Sequence, residues 1–149
     1  MNLLTGEYSN TLDEKGRVSL PSHLREELPG NTLVMTKGIE NCLWLFSPEQ
    51  WEKTAGNLMN QATLSLEKLS LVQHRFIAPA KMVEIDKIGR IAVPQRLRDF
   101  AGLNKDCIIM GMGKFIEIWD IERYDAYCEG NMSKLKAIVE EMGPASVLF

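Results

Sequence analysis

Chemistry-bearing residues are scarce in this 149-residue chain, and each scarcity removes a class of function. There are two histidines, His23 and His74, and neither sits in a Cys, Ser or metal-ligand frame. Both read as solvated or structural side chains. The three cysteines, Cys42, Cys107 and Cys128, are odd in number, far apart, and lack CxxC spacing. Buried free thiols fit that pattern; a disulfide or a metal site does not. Long apolar runs are also missing, since no stretch approaches the roughly 20 residues of a membrane span. The start, Met1-Asn-Leu-Leu-Thr-Gly-Glu, has no basic segment followed by an apolar one, so a cytoplasmic protein is expected. Gly111-Met-Gly113-Lys114 superficially resembles a phosphate loop but lacks the GxxxxGK[ST] spacing and a following helix. No cofactor, metal, membrane contact or small-molecule substrate is expected, and no effector site is visible.

Positive charge is short as well. The formal net charge is −3, which argues against a non-specific polyanion binder. It leaves nucleic acid open, because the distribution of charge matters more than its sum. Between Lys81 and Arg98 five basic residues, Lys81, Lys87, Arg90, Arg96 and Arg98, face Glu84 and Asp86 alone. The acids gather elsewhere, in 117–129 and at Glu140–Glu141. A local basic face on an acidic body is the expectation.

What the chain does have is a duplication. Asp13-Glu-Lys-Gly16-Arg17-Val-Ser-Leu-Pro21-Ser-His-Leu24-Arg25 recurs 73 residues later as Asp86-Lys-Ile-Gly89-Arg90-Ile-Ala-Val-Pro94-Gln-Arg-Leu97-Arg98. Leu43, Leu45, Phe46, Glu49 and Trp51 recur as Ile116, Ile118, Trp119, Glu122 and Tyr124. A duplicated unit implies a pseudo-twofold architecture with the two arginines side by side on one face. A unit of about 45 residues stabilises itself poorly, so two should share one core with interleaved strands.

Each copy predicts a strand (Tyr8–Leu12, Met82–Ile85), an Asp-x-x-Gly-Arg turn, and a second strand with Val18 and Leu20, or Ile91 and Val93, on one face. Asp initiates such turns through its own backbone, and Gly accepts positive φ. Pro21 and Pro94 open helical turns at Ser22–Leu28 and Gln95–Ala101. Two further β-runs complete each unit: Thr32–Thr36 with Cys42–Phe46, and Cys107–Gly111 with Phe115–Trp119, with Gly38 and Gly113 in the hairpin turns. Ser47-Pro48-Glu49-Gln50 is a helix start for a helix reaching Met59. Leu66, Leu69, Val72 and Phe76 fit one apolar helical face. Asp120 starts the equivalent helix in the second copy, and Met132–Met142 can form another. The tail, Pro144–Phe149, ends apolar, as a docked or a disordered segment. The expected class is α+β with a mainly β core. The divisions are repeat 1 at 7–54, a helical linker at 55–79, repeat 2 at 80–125, and a C-terminal helix and tail at 126–149.

Two readings compete for the turns. In one, Asp13–Arg17 and Asp86–Arg90 are salt bridges that support their turns, with Gly16 and Gly89. In the other, the aspartates orient arginines whose planar forks can donate two hydrogen bonds to guanine. Both can hold at once. The Asp13/Asp86 pair could alternatively serve a hydrolase, although an arginine in each turn makes a poor general acid of its carboxyl. Trp44, Trp51 and Phe46 read as packing.

The duplicated Asp-x-x-Gly-Arg-x-x-x-Pro unit, together with Phe46-Ser-Pro-Glu-x-Trp51 and Trp119-Asp-Ile-Glu-x-Tyr124, resembles the bacterial MraZ family over essentially the whole chain. That resemblance implies tandem AbrB-like swapped-hairpin units in a ring-shaped homo-oligomer associated with the nucleoid. It implies sequence-specific binding of double-stranded DNA at promoter direct repeats, and regulation, usually repression, of the division and cell-wall gene cluster. The DNA-contacting residues it implies are Arg17 and Arg90, with Lys15 beside the first. In the second turn Ile88 matches Lys15 and the lysine is Lys87, so unequal contacts are expected. An AbrB-like antitoxin, binding a toxin and its own promoter, is the alternative.

Overall fold

The computed structural model describes residues 3–149. Eight strands, β1 Glu7–Thr11, β2 Arg17–Ser19, β3 Thr32–Lys37, β4 Leu43–Phe46, β5 Lys81–Glu84, β6 Arg90–Ala92, β7 Asp106–Gly111 and β8 Ile116–Asp120, form two sheets. Six of them pair antiparallel in the order β1-β7-β8-β4-β3-β5, while β2 and β6 form a separate ribbon. The first strand of each half therefore pairs with the other half: β1 on β7, and β5 on β3. Neither half has a complete sheet of its own.

The registers locate the pseudo-twofold. In the ribbon Val18 lies opposite Ile91, and across the sheet centre Trp44 lies opposite Glu117. Both are pairs of residues 73 apart in sequence, so each residue faces its own counterpart. One axis passes through both pairs.

The duplication is not gapless throughout. Strands β3 and β7 correspond at an offset of 74, since Thr32–Lys37 matches Asp106–Gly111. The extra residue before β7 is recovered in the following hairpin, so Leu43 and Ile116 return to an offset of 73. A one-residue change in a strand would send every side chain to the wrong face. Placing the extra residue outside the strand avoids that, and Met35 and Ile109 both reach the core fully buried.

Both faces of the large sheet are covered. One core joins Leu33, Met35, Leu43, Leu45, Ile109 and Ile118 of the sheet to Val18 and Ile91 of the ribbon. Leu24 of helix α1 (Ser22–Glu26) and Leu97 of α4 (Gln95–Ala101) close it. The alternate strand residues Trp44, Phe46, Ile108, Met110 and Trp119 point to the opposite face. There they meet Trp51 of α2 (Pro48–Met59), Phe76, and Ile121 and Tyr124 of α5 (Ile121–Gly130). Glu117 ties this layer by accepting from the indole N–H groups of Trp44 (3.0 Å) and Trp119 (2.8 Å). The tryptophans are thus core, as expected.

Local chemistry sets the helix starts. Ser47 Oγ accepts from the Gln50 N–H, and Asp120 caps α5 through the Arg123 N–H. Two expectations need correction. Helix α3 (Leu66–Val72) passes into a π-helical turn, Gln73–Ile77, which rotates the following side chains. Leu66, the first residue of α3, lies outside the expected apolar face, at 87% exposure, while Leu69, Val72 and Phe76 are half-buried. Cys42 and Cys107 are buried free thiols, but Cys128 is exposed because α5 presents that face to solvent. Burial raises the Cys107 thiol to about 11 and the Cys42 thiol further still. The tail is ordered as a short helix α7 (Pro144–Leu148) after α6 (Met132–Met142).

Candidate nucleic-acid interface

The two arginine turns have the same construction. Asp13 Oδ1 accepts from the backbone N–H groups of Lys15 (2.9 Å) and Arg17 (2.8 Å), and its Oδ2 accepts from Arg17 Nε (2.8 Å). Asp86 does the same with the N–H groups of Ile88 (3.0 Å) and Arg90 (2.8 Å) and with Arg90 Nε (2.9 Å). These bonds hold both carboxyls below the usual aspartate value, the N–H of the following arginine most of all. Both carboxylates are ionised at neutral pH.

The glycines are required by backbone conformation. Gly16 has φ +78° and Gly89 φ +86°, in the region that side chains with a Cβ disfavour. Each is also covered by a guanidinium from the other unit. A Cβ on Gly16 would lie 2.6 Å from Cζ of Arg98, and one on Gly89 would lie 2.8 Å from Cζ of Arg25. The backbone repeats that exchange: Val93 N–H donates to the Gly16 carbonyl (2.8 Å), and Leu20 N–H to that of Gly89 (2.9 Å). Each turn is thus braced by the opposite unit.

Register then decides what the turns present. Arg17 lies opposite Ala92 and Ser19 opposite Arg90, and residues directly opposite in an antiparallel pair share a face. Val18 and Ile91 fill the inner face, so Arg17 and Arg90 both project from the outer one. Their side chains remain about one-third exposed. From each guanidinium the aspartate takes only the Nε–H. Among the described residues none accepts from the terminal Nη groups, which keeps both Nη groups, with four N–H donors, for a ligand. Lys15 and Lys87 are exposed beside them.

The antiparallel ribbon sends the turns to opposite ends. Asp13 and Asp86 therefore do not converge, and the carboxylate pair a hydrolase would need is not formed. Among the described residues no group of three or more His, Cys, Asp or Glu could hold a metal, and no helix is long and apolar enough to cross a membrane.

Arg25 and Arg98 were given no role by sequence reasoning. The available signal was their identical place at the end of both motif copies; what was lacking was knowledge that the turns brace one another across units. They also differ. Arg25 Nε donates to the Leu20 carbonyl (3.0 Å), whereas the Arg98 Nε is buried without a partner among the described residues.

Two equivalent turns on one ribbon, over a sheet shared between halves, define a duplicated pseudo-twofold protein with a paired guanidinium face. A family model described as "MraZ protein, putative antitoxin-like" matches residues 3–70 and again 76–142, once in each half. A protein of Treponema denticola named transcriptional regulator MraZ is 46% identical over 140 residues, 94% of this chain and 97% of the relative. Equally named proteins of Treponema pallidum (strain Nichols) and Acetivibrio thermocellus are 42% and 39% identical, covering 95% and 92% of this chain and 95% and 94% of their own. The chain belongs to the MraZ family. Those names denote a non-enzymatic role, the class expected for this chain.

Proposed function

We propose that this chain is a sequence-specific DNA-binding transcriptional regulator, a repressor of the division and cell-wall gene cluster acting at tandem promoter repeats. The observation that carries the reading is the ribbon register, which puts Arg17 and Arg90 on one outer face. A two-stranded antiparallel ribbon fits the major groove, where an arginine fork can pair with guanine O6 and N7. Lys15 and Lys87 add contacts to bases or phosphates, while Asp13, Gly16, Asp86 and Gly89 hold the geometry. Residues 7–54 and 80–125 act as the two DNA-facing repeats, joined by a helical linker at 55–79 and followed by an assembly segment at 126–149. The protein works in the cytoplasm, on the nucleoid.

Affinity comes from assembly. Met132, Leu135, Ile138 and Met142 are exposed at helical spacing along α6, and Leu148 and Phe149 extend that apolar surface. A second copy seated there would build a ring, in which later DNA contacts are intramolecular and occur at high effective concentration. A net-negative chain can then hold a polyanion through several short basic contacts.

Fluorescence anisotropy on a promoter fragment tests this. Arg17→Ala and Arg90→Ala should each weaken binding by roughly 5- to 150-fold, the equivalent of about 1–3 kcal/mol per bidentate contact, with oligomer size unchanged. Fragments with tandem repeats should bind far more tightly than single-repeat ones, and rising salt should weaken both. Parent-like binding by both variants would leave the arginines as turn supports alone. Equal affinity for the two fragments would remove the ring mechanism, and a co-purifying small toxin would favour the antitoxin reading.

A further inference from the structure

The twofold fails most clearly beside the second unit, and a cavity lies there. It measures about 510 Å³ and is lined by Lys37, His74, Lys81 and Arg96 over an apolar floor that includes Pro79 and Leu97. No acidic residue lines it among those described. Asp99, one helical turn from Gln95 at the rim, accepts from that side chain (2.7 Å). Outside the lining, Arg75 donates to the Gly38 and Ile39 carbonyls (3.0 and 2.8 Å) and sits 4.5 Å from the Phe100 ring, over which the Lys37 ammonium also lies (4.9 Å). Lys37, Lys81 and Arg96 around one concavity repel one another unless an anion shares the space.

The first unit shows what this place looks like when filled. Tyr8 and His23 stand where the second unit has Lys81 and Arg96, and their rings stack at 6.3 Å. At the β3/β7 offset of 74, Lys37 corresponds to Gly111, against which the Leu4–Thr5 backbone packs so closely that a Cβ there would collide with it. Because the strands are exchanged, Tyr8 and His23 of the first unit meet Gly111 of the second, whereas Lys81 and Arg96 of the second meet Lys37 of the first, and that side loses the closure.

One wall is the π-helical turn Gln73–Ile77, a conformation that recurs at functional sites. It carries His74, whose Nδ1 donates to the Ser70 carbonyl (2.7 Å). That bond leaves Nε2 free of partners among the described residues.

We infer that this cavity is a phosphate-binding site, sized for a phosphorylated small molecule rather than a lone ion and independent of the two arginine turns. Pockets of 300–1,000 Å³ hold ligands of that class, and Arg96 can engage a phosphate bidentately while the lysines act as point charges. A phosphate could reach the cavity from a free small molecule or from a nucleic-acid backbone, and the test separates these.

Isothermal titration of the full chain at physiological ionic strength uses inorganic pyrophosphate and adenosine diphosphate as probes, with sodium chloride matched for ionic strength as the control. Saturable binding of either probe is expected, weakened at least tenfold in Lys81→Gln/Arg96→Gln. Both side chains are exposed, so an unchanged Tm certifies the fold. Lys81→Tyr/Arg96→His, which imports the first unit's pair, should lose the probe as well. If neither probe binds but Lys81→Gln/Arg96→Gln weakens DNA binding in the same buffer, the phosphate is the backbone's. If neither probe binds and DNA affinity is unchanged, or if the variants bind probe as the parent does, the site is refuted. Arg17→Ala should leave probe binding intact, so failure of the DNA reading would not be mistaken for failure of this one.

Discussion

The two arginine turns are nearly superimposable in their hydrogen bonding and unlike in what they expose. Both aspartates make three bonds of 2.8–3.0 Å to the same groups of their own turns. The difference lies in residues the scaffold does not use. At matching positions the first turn carries Glu14 and Lys15, and the second carries Lys87 and an Ile88 that is 67% exposed. From Asp13 to Arg17 the charges cancel, whereas Asp86 to Arg90 carries one net positive charge. After duplication, residues that build a turn are held by geometry, and residues at its surface are free to diverge.

The largest test of that division is at the glycines. Gly16→Val and Gly89→Val should each destabilise the fold by about 1–3 kcal/mol, the usual cost of a strained left-handed residue. The bracing guanidinium from the other unit must also move. Thermal or urea unfolding would read the two losses side by side. A tolerated substitution in one turn alone would show that the two are not built alike.

A smaller effect separates the braces. Arg25→Met removes a hydrogen bond to the Leu20 carbonyl and should cost about 1 kcal/mol. Arg98→Met removes an exposed bond from Nη2 to Gln95 Oε1 (2.7 Å) together with a buried Nε that has no partner among the described residues, so the net cost should be smaller. The reverse order in urea midpoints would place the better brace on Gly16.

The smallest effect is in acid. Asp13 and Asp86 have folded-state pKa values below their ordinary value. Their contribution to stability is therefore complete above the unfolded carboxylate pKa of roughly 4, and disappears as pH falls through the depressed folded values. Asp13→Asn and Asp86→Asn should flatten the loss of stability below that pH by similar amounts, as measured by Tm against pH.

The turns and most elements could be read from the chain because their causes are local. Asp, Gly and Pro at fixed spacing specify the turn, and Ser47 and Asp120 announce their helices. The interleaving followed from the size of the half-unit, although the strand order did not. What escaped reading was set at a distance. The offset of 74 at β3 and β7 is hidden because neighbouring segments keep 73. The π-helical turn at Gln73–Ile77 has no composition signal. The bracing of Gly16 by Arg98 joins residues 82 positions apart in sequence. The basic cavity depends on which segments fail to close over Lys37, which only packing decides.

One scaffold presents two arginines on one face, and under the proposed function its two turns make unequal DNA contacts. Titrating a tandem-repeat promoter fragment with the parent, Arg17→Ala and Arg90→Ala at several salt concentrations tests it directly. Both variants should bind more weakly, and Arg90→Ala should lose more, because its turn carries the net positive charge. Equal losses would contradict the inequality, and parent-like affinity in both would contradict the claim itself.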